Sequence, residues 1–152
     1  MYTWFSVKVK FDRQGEDGLM TKVTEPFLID AMTFTEAENR ILAEVKHYST
    51  TGEIEIADIR KTKISELFDN DSEDADKWYR CKVNYLALDE KKGIEKKTAQ
   101  IMMVKAANFK NAVDTLIERM RGTLGDYEIA TIAETNILDV LKFLQPNEEE
   151  AK

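Results

Sequence analysis

The sequence predicts a small α+β protein made by tandem duplication of a ββαβ unit. Three blocks of self-similarity in the same order predict it, with a period of two in the first block and a capped amphipathic segment in the middle one. Trp4-Phe5-Ser6-Val7-Lys8-Val9-Lys10-Phe11 aligns with Trp78-Tyr79-Arg80-Cys81-Lys82-Val83-Asn84-Tyr85. Phe34-x-x-Ala37 aligns with Phe109-x-x-Ala112, and Gly52-Glu53-Ile54-Glu55-Ile56 with Gly125-Asp126-Tyr127-Glu128-Ile129. The offset stays between 73 and 75 residues, and its drift falls in loops, where insertions cost little.

The first strand of each copy follows from alternation. Phe5, Val7, Val9 and Phe11 alternate with Trp4, Ser6, Lys8 and Lys10, as a half-buried strand requires. Tyr79, Cys81, Val83 and Tyr85 alternate in the same way with Trp78, Arg80, Lys82 and Asn84. A polar loop with glycine follows (Asp12 to Gly18, Asp89 to Gly93), then a second strand through Val23 to Ile29 and Thr98 to Val104. In these second strands Leu28, Ile101 and Met103 fall out of phase with Phe27, Met102 and Val104, so both faces are expected to be partly covered.

A helix comes next. Thr33 and Glu36 have the spacing of a capping box, and Asn108 caps the copy, where Asn111 at the reciprocal position leaves the box incomplete. Phe34, Ala37, Ile41 and Val45 form one apolar stripe; Phe109, Ala112, Leu116 and Met120 form the other. The third strand starts after Gly52 or Gly125. Its apolar residues skip from Ile56 to Ile59 and from Ile129 to Ile132, a slip of phase that predicts a β-bulge at Ala57-Asp58 and Ala130-Thr131. Ile64-x-x-Leu67-Phe68 and Ile137-x-x-Val140-Leu141 read as short closing helical turns.

A hairpin followed by a strand–helix–strand crossover gives a sheet ordered 2-1-3 in each half, with one helix across it. The expected organisation is a first repeat at 1–68, an acidic connector at 69–76, a second repeat at 77–145 and an acidic tail at 146–152. Each repeat alone has a marginal core, so the two are expected to pack about a pseudo-twofold axis as one compact unit.

Charge and composition narrow the function classes. Acidic residues outnumber basic ones 29 to 22, for a net charge of −7, which opposes nonspecific attraction to nucleic acid. No apolar run approaches the length of a membrane span, and no secretory signal opens the chain. With a single cysteine, Cys81, an internal disulfide is impossible, which suits a reducing, cytoplasmic setting.

Catalytic and metal chemistry find little to stand on. Asp69, Asp71 and Glu73 have the spacing of a calcium loop, but Asp74 and Arg80 stand where it needs glycine and glutamate. His47 is the only histidine, and Cys81 takes the inward slot that Val7 holds in the other copy. Gly15 and Gly18 match no phosphate-binding loop. The expectation is no enzyme, no metal and no cofactor.

The outward side of the first strands offers a candidate binding face: Trp4, Lys8 and Lys10 in one copy, Trp78, Arg80 and Lys82 in the other. Aromatic and cationic groups on an open sheet face stack on bases or grip an acidic partner. The alternative is a covered face, with lysine stems lying over the tryptophans.

Several segments together resemble an uncharacterised family of small bacterial and phage proteins carrying a domain of unknown function. They are Trp-Phe-x-Val-Lys-Val at the start, Phe27-Leu28-Ile29-Asp30-Ala31-Met32-Thr33-Phe34-Thr35-Glu36-Ala37-Glu38, Ile59-Arg60-Lys61-Thr62-Lys63-Ile64-Ser65-Glu66-Leu67-Phe68 and Asp76-Lys77-Trp78-Tyr79. The resemblance runs over nearly the whole chain and implies no activity, substrate or catalytic residue. Its phage association implies mobile-element or host–phage biology.

The leading expectation is a non-catalytic interaction module that binds a protein of unknown identity, with oligomeric state left open. The alternatives are nucleic-acid binding through the Trp/Lys/Arg face, an acidic inhibitor that mimics DNA, and an enzyme with a cleft between the repeats. Twenty-two basic residues make the chain a mediocre mimic.

Overall fold

The computed structural model describes residues 2–143, so the acidic tail at 146–152 lies outside the described residues. In chain order the elements are β1 (Thr3–Gln14), β2 (Met20–Ala31), α1 (Phe34–Glu44), a 3-10 turn (Lys46–Tyr48), β3 (Ile54–Thr62), β4 (Glu66–Phe68), β5 (Lys77–Asp89), β6 (Ile94–Ala106), α2 (Phe109–Met120), β7 (Asp126–Glu134) and β8 (Asp139–Leu141). They make a mixed α+β fold with two four-stranded sheets and two helices. Of the described residues, 2–63 and 137–143 form one unit, and Ile64–Asn136 form the other.

In the first unit the sheet order is β3-β1-β2-β8. The predicted 2-1-3 order is its core, with β1 central and antiparallel to both neighbours. Phe5, Val7, Val9 and Phe11 all point to one side and are buried, and Ala37, Ile41 and Val45 of the α1 segment meet them there. Burying such a side chain stabilises by about 1.5–3 kcal/mol, which is why the alternation decides the face. Thr33 caps α1, its hydroxyl accepting from the Glu36 N–H at 3.0 Å, while the Glu36 carboxylate accepts from the Met32 N–H. The bulge falls where the phase slips: Lys8 stands opposite Asp58 and Val9 opposite Ile56, which leaves Ala57 extra.

The second unit is ordered β4-β6-β5-β7. Tyr79, Cys81 and Val83 are buried against Ala112, Leu116 and Met120 of α2. Its bulge leaves Ala130 extra, between the pairs Lys82–Thr131 and Val83–Ile129. The capping box of α2 is complete, contrary to the expectation. Asn108 accepts from the Asn111 N–H, and the Asn111 side-chain oxygen reaches back to the Ala107 N–H at 3.0 Å, so an amide does the work of the glutamate. Gly52 and Gly125 precede β3 and β7 at φ of +81° and +89°, a backbone region that a side chain would strain.

Further expectations need correction. The closing segments are not helical turns: Glu66–Phe68 and Asp139–Leu141 are short strands. Apolar spacing over five residues fits one helical turn or a three-residue strand equally well, and an available sheet edge decides the matter. The edges they occupy lie outside the bounds 1–68 and 77–145 within which the sequence places each segment. β4 follows the first repeat in sequence but pairs in parallel with β6, and β8 follows the second but pairs in parallel with β2. Glu66–Phe68 thus completes the sheet of β5–β7, and Asp139–Leu141 that of β1–β3. The apolar stripes also begin later than predicted, because Phe34 and Phe109 at the helix starts are exposed.

Candidate interaction surface

Strand alternation aims Trp4, Ser6, Lys8 and Lys10 of β1, and Trp78, Arg80, Lys82 and Asn84 of β5, away from the helices. The two tryptophans have different fates. Trp78 is 4% exposed, and the Lys105 ammonium lies 5.9 Å from its ring centroid. Trp4 is half-buried. Leu28 and Met103, the residues out of phase in β2 and β6, are buried on the same sides as these tryptophans. The covered reading therefore holds for Trp78, which presents no open ring for stacking.

Lys8, Lys10, Arg80 and Lys82 are all exposed, but their strand neighbours set them apart. Lys8 stands between Pro26 and Asp58, and Lys10 between Thr24 and Glu55. Lys10 also lines a shallow concavity of about 160 Å³ together with Asp12, Lys22, Glu53 and Glu55. Lys8 and Lys10 thus each have a carboxylate directly opposite. On β5 no carboxylate stands opposite Arg80 or Lys82: Arg80 lies between Met103 and Ala133, and Lys82 between Ile101 and Thr131. The nearest acid on that face, Glu128, is engaged by Asn84 at 3.0 Å and Lys97 at 3.1 Å. Those two partners hold its carboxyl below the ordinary carboxylate range, the Asn84 hydrogen bond contributing most. Alignment shows a cationic pair in each copy; only the pairing register shows that one pair is opposed and the other is not.

The other residues singled out by sequence lie elsewhere. Cys81 is fully buried in the core of the second unit, and burial pushes its thiol up to about 11. His47 is exposed, its ring 4.3 Å from that of Tyr48. Among the described residues no three His, Cys, Asp or Glu side chains converge as metal ligands. The connector is shaped by local turns, with the Asn70 side chain accepting from the Ser72 N–H at 3.0 Å. Among the described residues no helix is long and apolar enough to cross a membrane.

A cluster that sequence reasoning missed surrounds Arg40. Its guanidinium bonds the Asp30 backbone oxygen and Glu44, and lies 5.5 Å from the Phe143 ring centroid, while Phe143 stacks on Tyr2 at 4.8 Å. The Phe143 N–H donates to Asp30 Oδ1. Nothing local in the sequence links residue 143 to residues 2, 30 and 40; the cluster forms because β8 lands beside β2. It is a structural clasp for the segment after β8.

No curated protein matches the chain. The family model of a domain of unknown function, DUF4494, matches residues 3–143, almost the whole of it, so the chain belongs to the DUF4494 family.

Proposed function

We propose that this protein is a non-catalytic binding module that docks an acidic protein surface on the sheet of its second unit. The observation that carries the reading is the pair Arg80 and Lys82, exposed, two apart on β5, with no carboxylate opposite either one. Unopposed cations on a regular strand form a fixed, solvated positive strip. Such strips set partner choice and association rate through charge complementarity. The burial of Trp78 favours a protein over a nucleic acid, since sequence-tolerant strand binding relies on exposed aromatic platforms.

The same reading includes a duplicated origin. It is supported by the matching orders β3-β1-β2-β8 and β7-β5-β6-β4, by a bulge at equivalent alanines, and by an Asn or Thr cap on each helix. In a duplicated protein one copy is free to specialise, and the unopposed cations mark the second copy as the one that did.

The test is affinity capture of partners with wild type, R80E/K82E and K8E/K10E at low and high salt. The expected result is a protein whose capture falls with salt, is lost with R80E/K82E and survives K8E/K10E. Equal capture by R80E/K82E would sink the reading. Capture that nuclease treatment abolishes would transfer it to nucleic acid.

A further inference from the structure

The two sheets end in edges that differ in how well they are protected. β3 and β7 are outer edges interrupted by the bulges at Ala57 and Ala130, and such irregularity blunts edge pairing. β2 is covered by β8 over only Phe27–Ile29, and its uncovered part begins at Pro26, which has no N–H to offer. β6 is covered by β4 over only Met102–Val104. Its remainder, from Ile94 to Ile101, contains no proline and no bulge and pairs with β5 in unbroken register. Residues 94–99 are all exposed.

The backbone direction of that free stretch is determined. The Ser65 N–H donates to the Ile101 oxygen at 2.7 Å, so Ile101 turns its carbonyl to the side of β4. Alternate residues of a strand face the same way, so Ala99, Lys97 and Glu95 turn their N–H and C=O outward as well. No described residue meets these groups. In the first unit the Leu138 N–H donates in the same way to the Pro26 oxygen, so Pro26 is the position equivalent to Ile101.

From these observations we infer that the free edge of β6, residues 95–101, is a strand-addition site for an extended, acidic peptide segment of a partner protein. The incoming strand continues the row that β4 begins, and its backbone supplies the missing partners of Glu95, Lys97 and Ala99. Its chemistry follows from the side chains along the edge. Lys96 sits in the free stretch on one face, and on the other Lys82 stands opposite Ile101 on β5 while Lys97 is held by Glu128 at 3.1 Å, so carboxylates on the incoming strand meet one unopposed cation on each face of the sheet. Ile101, half-buried, and the exposed Ile94 favour an apolar residue towards each end. This goes beyond the docking face of Arg80 and Lys82, because recognition here is by backbone, and either site stands if the other fails.

The test is selection of a displayed library of random twelve-residue peptides on wild type, on A99P and on R80E/K82E. Proline at 99 removes one outward N–H and leaves pairing to β5 intact, as Pro26 does in β2. Circular dichroism verifies the fold of A99P. The expected result is enrichment of acidic, proline-free peptides whose affinity falls about tenfold or more on A99P. K96E weakens them as well, and N-methylation at alternate peptide residues abolishes binding. Peptides that bind folded A99P as tightly as wild type would overturn the inference, and so would absence of enrichment on wild type. A wild-type dimer that A99P dissociates would give the edge to a second copy of this chain and overturn it too. Loss of peptide binding on R80E/K82E alone would assign the peptides to the sheet face instead.

Discussion

The Tyr48 hydroxyl donates a 2.6 Å hydrogen bond to Asp139 Oδ2 across 91 residues of sequence. It joins the 3-10 turn after α1 to β8, and the Phe27 ring lies 5.4 Å from that of Tyr48 beneath the contact. A short strand with three paired residues gains little from its ladder alone, so this charge-assisted bond is a principal tether of β8 in the first unit.

Replacing Tyr48 with Phe is expected to destabilise the first unit by about 1–2 kcal/mol, as loss of a partly exposed bond to a carboxylate does. The substitution also changes the response to alkali. Burial first, and Asp139 second, raise Tyr48 above the ordinary 10.0. A tyrosine whose pKa is raised by folding contributes stability that is whole below pH 10.0 and is lost as pH rises above it, because the unfolded chain ionises first. Tyr79 is raised in the same direction and keeps part of the effect in the variant. Urea midpoints on both sides of pH 10 should fall less steeply for Y48F than for wild type; parallel slopes would refute the assignment.

Truncation after Asn136 removes β8 and takes Leu138 and Leu141 from the core of the first unit. Hydrogen exchange should then show lost protection at Phe27–Ile29, the residues that pair with β8. Protection at Tyr79–Val83, whose sheet closes with β4, should be retained. If the loss were confined to the second unit, the assignment of β8 to the first sheet would be wrong.

Cys81 is a core residue that aligns in sequence with Val7, itself buried in the first unit. Cys81→Val should therefore change stability by less than about 1.5 kcal/mol in chemical denaturation. Cys81→Asp should unfold the second unit, since a buried unpaired charge costs several kcal/mol. With the thiol pushed up to about 11 and no exposed surface, the native protein should resist thiol reagents at neutral pH and react only once unfolded.

The tryptophans should separate in fluorescence. A Trp4→Phe variant, which retains only Trp78, should emit at short wavelength and resist quenching by iodide. The Trp78→Phe variant, reporting half-buried Trp4, should be quenched more. Trp78→Ala should cost about 3–5 kcal/mol and Trp4→Ala less, because only Trp78 is 4% exposed. Equal quenching of the two would contradict their different burial.

Much of this protein is written locally. The period of two in Phe5-Val7-Val9-Phe11 and Tyr79-Cys81-Val83 determined which faces of β1 and β5 are buried, since a slip of one residue would expose the whole set. The skips at Ala57 and Ala130 determined the bulges, and Thr33 and Asn108 the helix starts. What the tertiary structure alone decided concerns partners distant in sequence. Residues 64–68 and 137–141 carry apolar spacing compatible with turn or strand, and they became strands because β6 and β2 offered unpaired edges. The burial of Trp78 and the contrast between Lys8 opposite Asp58 and Lys82 opposite Thr131 also arise from register across strands. Periodicity reports which side of a strand a residue takes, whereas what stands opposite depends on pairing energies summed along two segments far apart in the chain.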